Sequence, residues 1–407
     1  AYQTLADYCQ AKLWHQLTVQ VLELLQSSTT TTLPSSEALA LYDQVVLCVD
    51  SKLNPLSLAK IAALVAQTLQ TSDATAAKAI LENLRTKLQE TQEKQASSDG
   101  SSNNASNNMN AAFTVPATIY VESKLAYFTL TTADASLTSP NDFTSTVTTL
   151  THNKDRLHGY PAEGNAALAA VHAAHYEATM TYYKRVGPPE AFYEQALNYL
   201  QHMGPEFGQG SAARQEAAHV LAVDLTTAAL TGEGVYNLGQ VEQTPVLQFL
   251  KDTPDEWLVH VLQATAAGDV ALFRKYQQDY ATQMASQPVL VHRAAAIQEK
   301  LVLLALVTLI FSKPSHERLL TFAEIAEALL LEQGVEQVEW IVMRALSVHL
   351  MEGSIDQVAQ TVNVTWVMPR VLNATQLSQL ATRFGEWATK VSTTQDSMAL
   401  SSAQVIA

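Results

Sequence analysis

Apolar side chains recur along this chain at steps of three and four residues between short polar breaks, a period that predicts helices joined by brief turns. Leu13, Trp14, Leu17, Val21, Leu24 and Leu25 share one helix face, which runs out at the Ser/Thr run from Ser27 to Thr32. A second helix is predicted from Ser36 to Val49. In NPLSLAKIAALVAQTL, Asn54 is placed to cap a third helix, with Pro55 in its first position, where the missing N–H costs nothing. A fourth is predicted from Asp73 to Lys94. Four such helices form a solenoid-like stack, because no single pair covers its own apolar face. From Ser97 to Asn110, ten of fourteen residues are Ser or Asn and none is Lys or Arg. That composition buries nothing and predicts a disordered insertion.

Helical pairs resume with Ile119–Thr132 and Phe143–Asn153. Between Ala166 and Met203 two aromatic-rich helices flank a break at Gly187-Pro188-Pro189, a tetratricopeptide-like hairpin with a degenerate repeat signature. Further helices are predicted at Ala212–Thr231 and Pro254–Ala267, and a last pair at Val270–Tyr280 and Val289–Phe311. After Pro314 the pattern changes. Leu319 to Phe322 reads as a short strand, and Thr321 with Glu324 forms a capping box that opens a helix through Leu331. Gly334 marks a turn, a second helix covers Val335–Leu350, and Gly353 ends it. Ile355–Val358 and Thr361–Val367 then read as a hairpin turning at Ala359-Gln360. Strand, helix, helix and hairpin in this order describe a winged helix, with Trp340 and Trp366 expected in its core. In the tail, Leu377, Leu380, Phe384, Trp387 and Val391 are spaced 3, 4, 3 and 4, the seam of a helix that packs along other helices.

Composition supports a mainly α fold: Gly and Pro number 14 and 13 in 407 residues, about half the usual share, so the punctuation a β-rich chain needs is scarce. Charge removes a function class. The chain carries 24 Lys+Arg against 39 Asp+Glu, a net of −15, and between Arg318 and Leu372 three arginines face seven acidic residues. Phosphate binding rests on Lys and Arg, so this winged helix is predicted to bind protein rather than nucleic acid. The longest charge-free apolar run, Leu301–Phe311, falls short of a bilayer span and reads as a core helix. Cys9 and Cys48 are expected as free buried thiols.

Catalytic constellations are weak. His172 and His175 at i and i+3 with Glu177 do not match the i, i+4 spacing of zinc hydrolases, so hydrogen-bonded or solvated histidines are the better account. GEGVYNLG at Gly232–Gly239 lacks the third glycine of a dinucleotide loop and reads as a helix end in which Gly232 and Gly234 take positive φ. Neither a P-loop nor a nucleophile elbow occurs. No cofactor is expected.

Several strings resemble the PCI-domain non-ATPase lid subunits of the 26S proteasome regulatory particle, in particular the subunit-nine family, numbered thirteen in animals. They are KLWHQLTVQVL from Lys12, NPLSL from Asn54, GEGVYNLG from Gly232, PVL from Pro245, LTFAEIA from Leu320, MRALSVHLMEGSID from Met343 and VTWVMPRVL from Val364. The Ser/Asn insertion and Thr129–Thr151 show little likeness to that family. The resemblance implies a right-handed tetratricopeptide-like helical solenoid, then a winged-helix PCI module and a C-terminal helix. The expected divisions are N-terminal repeats over 1–95, the insertion over 96–112, further repeats over 113–245, the PCI domain over 246–372 with its winged helix at 315–372, and an assembly helix and tail over 373–407. It further implies a non-catalytic scaffold for lid assembly in ubiquitin-dependent degradation, in cytoplasm and nucleus, within a hetero-oligomeric complex. Expected partners are the other PCI lid subunits, through a hairpin edge at Ile355, Val358, Val362 and Val364, and the lid helical bundle, through Leu377, Leu380, Phe384, Trp387 and Val391. No membrane contact is expected. The alternatives are a PCI subunit of the signalosome or of a translation-initiation complex, an acidic winged-helix regulator, and a metal hydrolase at His172, His175 and Glu177.

Overall fold

The computed structural model describes residues 2–26, 35–70, 73–98, 105–133, 139–162, 164–204, 207–208, 212–313, 318–331, 334–369 and 374–406. The Ser27–Thr32 run and 99–104 of the Ser/Asn stretch lie outside these. Helix accounts for most of what is described, as the three- and four-residue period requires. The chain divides into two compact units, one of Ala1–Glu233 with Gln248–Thr253 and one of Gly234–Leu247 with Pro254–Ala407.

The first unit contains α1 (Tyr2–Gln10), α2 (Trp14–Gln26), α3 (Ser35–Leu41), α4 (Leu47–Val49), α5 (Pro55–Leu69), α6 (Ala74–Ser98), α7 (Ala105–Thr132), α8 (Thr144–Leu157), α9 (Ala166–Val186), α10 (Pro189–His202) and α11 (Ala212–Thr231). A π-helical turn at Tyr42–Val46 joins α3 to α4 without a break. The side-chain Oδ1 of Asn54 accepts from the Leu56 N–H at 2.9 Å with Pro55 behind it, so α5 starts where the sequence places it. Asp73 caps α6 in the same way, accepting from Thr75 N and Ala76 N at 3.2 Å. Leu17, Val21, Ile61, Leu81, Ile119 and Val171 belong to one continuous apolar core. Two expectations are corrected. Ser97 and Ser98 close α6 and 105–110 open α7, so helix enters both ends of the stretch predicted to be disordered. Cys48, in the single turn of α4, is exposed, and Cys9, in the last turn of α1, is only partly buried, so neither thiol is enclosed as expected.

The second unit contains α12 (Gly239–Glu242), α13 (Glu256–Ala267), α14 (Val270–Asp279), α15 (Ala281–Ser286), α16 (Pro288–His292), α17 (Ala294–Ser312), β1 (Leu319–Thr321), α18 (Phe322–Ala328), α19 (Val335–Ser347), β2 (Met351–Asp356), β3 (Thr361–Val367) and α20 (Ala374–Ile406). The helix expected over Val289–Phe311 is broken at Arg293, so α16 and α17 are separate. Helix α17 is long and apolar enough to span a bilayer by composition, yet half of that stretch is buried, with Leu301, Leu304, Val307 and Ile310 among its core residues. At the head of the unit Gly234 takes φ +79°, whereas Gly232 does not adopt positive φ, so only one of the two glycines plays the expected role.

Candidate protein-interaction site

The winged helix is assembled from local signals. The Thr321 hydroxyl accepts from the Glu324 N–H at 3.3 Å while the Glu324 carboxylate accepts from the Thr321 N–H at 3.1 Å, closing the capping box at the start of α18. That backbone hydrogen bond, with Lys313 beside it, holds the Glu324 carboxyl below its usual range. Leu330 at φ +51° turns the chain out of α18, and Gly334 at φ +67° leads it into α19. Val338, Ile341, Val342 and Ala345 then face the core. Helix α19 ends at Ser347, where His349 takes φ +56°, not at Gly353 as the sequence predicts.

The three strands lie in the order β1-β3-β2, both pairings antiparallel. Strand β3 is therefore central. Val362 pairs with Leu320 on one side and Ile355 on the other, and both Val362 and Val364 are buried. This corrects their expected role at a partner-binding edge: a strand paired on both sides has no backbone groups to offer, and its apolar face fills the module's own core. The outer strands are β1 and β2, and the hairpin's edge is β2, in which Ile355 is half-buried. Val358, predicted to sit in that strand, occupies the turn and is 98% exposed. Asp356 Oδ1 accepts from Val358 N at 3.0 Å and Ala359 N at 2.9 Å, and Gln360 takes φ +51°, so the turn spans four residues, not two.

A bulge redirects one aromatic side chain. Glu352 faces Trp366 and Gly353 faces Val364, which leaves Thr365 without an opposite number. The extra residue shifts the alternation, so Trp366, in phase with Val362 and Val364 by sequence, turns outward. Trp340 on α19 is also exposed, with Met343 one turn on. Both tryptophans expected in the core thus lie on the surface. Gln357 Nε2 donates to Glu339 Oε2 at 3.1 Å, tying the hairpin turn to α19. The outer face of α19 carries Glu336 and Arg344, and the Arg344 Nε donates to Glu299 Oε1 at 2.7 Å. Its single cation is thus engaged by a carboxylate.

Helix α20 carries the rest of the site. Leu377, Leu380, Phe384, Trp387 and Val391 are 53%, 37%, 60%, 65% and 46% exposed. Met398, seven residues beyond Val391, is exposed as well and extends the seam; its heptad spacing was readable in the sequence and was missed. These six side chains leave an apolar stripe along α20 open to water. The helix is also rich in Ser and Thr, with Gly385 in mid-course, a composition that supplies little stability of its own.

The histidine constellation does not converge on a metal. Glu177 Oε2 accepts from Lys124 Nζ at 2.6 Å, His172 Nε2 lies 2.8 Å from the Tyr160 carbonyl, and the His172 ring stacks on His202 at 4.9 Å. Among the described residues no group of three His, Cys, Asp or Glu could hold a metal ion.

Comparison with known proteins matches this architecture in two parts. A family model described as PSD13 N-terminal repeats covers residues 1–262, and one described as PCI domain covers 277–366. The chain is 32% identical over 396 residues to the 26S proteasome non-ATPase regulatory subunit 13 homolog A of Arabidopsis thaliana, covering 97% of this chain and 91% of that protein. It is 27% identical over 387 residues to the 26S proteasome regulatory subunit RPN9 of Saccharomyces cerevisiae, covering 95% and 88%. Likeness to the eukaryotic translation initiation factor 3 subunit M of Neosartorya fischeri, 30% over 170 residues, covers 42% of this chain and 35% of that protein. With one family model spanning 262 of its 407 residues and a relative matched over nearly its whole length, the chain belongs to the family of the 26S proteasome non-ATPase regulatory subunit 13.

Proposed function

We propose that this chain is a non-catalytic structural subunit of the lid of the 26S proteasome regulatory particle, a soluble intracellular complex of cytoplasm and nucleus that serves ubiquitin-dependent protein degradation. It holds neighbouring PCI subunits at the β2 edge of its winged helix and enters the lid helical bundle through the apolar seam of α20. The observation that carries this reading is the exposure of that seam, a helix face built to be covered and left open by its own chain. An edge strand accepts a neighbour's strand through backbone hydrogen bonds, and an amphipathic helix docks by its apolar anchors, so both elements suit a scaffold. The engagement of Glu177 by Lys124 and the acidic outer face of α19 support it over a hydrolase or a nucleic-acid regulator.

Mass spectrometry of the proteins that copurify with the tagged chain tests the assignment. Recovery of proteasome lid subunits in stoichiometric amounts is expected. Recovery of signalosome or initiation-factor subunits in their place overturns it.

A further inference from the structure

The packing of α7, α8 and α9 contains one layer unlike its neighbours. Ala126, Leu150 and Ala178 meet in an apolar cluster, one residue from each helix. Three residues back along α7, three onward along α8 and three back along α9 stand Ser123, Asn153 and His175. That stepping suits three helices running up, down and up, and two ion pairs hold them at this height. Glu122 bonds Arg156 at 3.4 Å, tying α7 to α8, and Lys124 bonds Glu177 at 2.6 Å, tying α7 to α9. At a rise of about 1.5 Å per residue the two layers are roughly 4.5 Å apart. Four residues further out, Ile119, Leu157 and Val171 are buried and apolar. A polar layer is therefore enclosed between two apolar ones.

Its polar atoms are not satisfied by the chain. Ser123 and Asn153 are fully enclosed and His175 is 1% exposed, yet Ser123 Oγ, Asn153 Nδ2 and Oδ1, and His175 Nδ1 bond to no protein group. Buried polar atoms without partners are few in native cores, and each one calls for a bonding partner. Four from three helices in one layer point to a shared ligand that both donates and accepts. We propose that this layer is a binding site for ordered water, which bridges α7, α8 and α9 and locks their register.

The chemistry selects water over an ion. A hydroxyl, a carboxamide and an imidazole nitrogen present donors and acceptors together, which a water molecule complements and a bare cation does not. The nearby carboxylates Glu122 and Glu177 are already engaged. Burial first, then His172 and Lys154, pulls the His175 pKa down to about 4, so the ring is neutral and its nitrogen can accept. The adjoining layer carries the small side chains Ala126 and Ala178 beside Leu150. A slip of one helix along another would bury these atoms against leucine and alanine, so the layer penalises every register but one.

Two measurements on the full chain test the site. A crystal structure that resolves ordered solvent should show water within hydrogen-bond distance of at least two of Ser123 Oγ, the Asn153 amide and His175 Nδ1. An empty layer, or the three side chains bonded directly to one another, overturns the proposal. Thermal unfolding supplies the second arm. Asn153→Leu should lower the thermal midpoint by on the order of 5 °C, since it strands two polar partners. Adding Ser123→Ala and His175→Phe should recover at least half of that loss by making the whole layer apolar. Three independent, additive losses would count against a shared guest.

Discussion

Replacing Leu380 and Trp387 by aspartate should leave the subunit folded and keep it out of the lid. Trp387 is 65% exposed and Leu380 37% exposed, so most of the tryptophan and part of the leucine remain open in the free chain. A tryptophan carries roughly 200 Å², of which about 130 Å² remains to be covered, worth about 3 kcal/mol at ~25 cal/mol per Å². Full burial of a leucine is worth about 2 kcal/mol, so the part of Leu380 still open adds about 0.8 kcal/mol. The pair together supplies about 4 kcal/mol of docking energy, roughly a thousandfold in Kd, before the cost of burying two carboxylates. The double variant should match the parent in circular dichroism and thermal midpoint, and should fail to co-migrate with lid subunits on a native gel after coexpression. Normal incorporation would refute the assignment of this face; an unfolded variant would show that the stripe is core.

Other consequences are local. Gly353 sits at the bulge, where a Cβ would meet the Asn363 carbonyl oxygen at 2.3 Å, so Gly353→Ala must move backbone and should cost about 1–3 kcal/mol in thermal unfolding; an unchanged midpoint would mean the strand accommodates it. Gly385 lies mid-helix with open space where a Cβ would stand, so Gly385→Ala should stabilise α20 by about 1 kcal/mol and raise helical ellipticity without reducing incorporation. His175 binds its proton more weakly in the folded chain, near 4 against an ordinary 6.5, so its contribution is complete above about pH 6.5 and is lost as pH falls toward 4. Going from pH ~7.5 to ~5.5 should cost about 1.4 kcal/mol, a dependence that His175→Phe removes; an identical pH profile in the variant would contradict this.

Much of this architecture was legible in residue spacing because its determinants are local. Asn54-Pro55 and the Thr321–Glu324 box set helix starts through hydrogen bonds within three residues, and β3 runs over Thr361–Val367 as its β-branched pattern predicts. What the sequence hid depends on pairing between distant segments. Which strand is central follows from β1 returning to β3 across some forty residues, and that alone moves Val362 and Val364 from edge to core. Trp366 faces outward because of one unpaired residue, Thr365, a shift that no alternation rule reveals. Helix ends set by left-handed residues other than glycine, Leu330 and His349, carry no sequence mark either. The polar layer of Ser123, Asn153 and His175 is scattered over three helices and emerges only once they are stacked.

On the proposed function α20 offers an apolar seam for other subunits to cover, and amide hydrogen exchange compares its two states directly. In the isolated chain the amides of 377–398 should exchange quickly, since little besides the helix itself protects them. In the assembled lid the same amides should be strongly protected, with the change centred on Leu380 to Val391. Equal protection in both states would contradict the account.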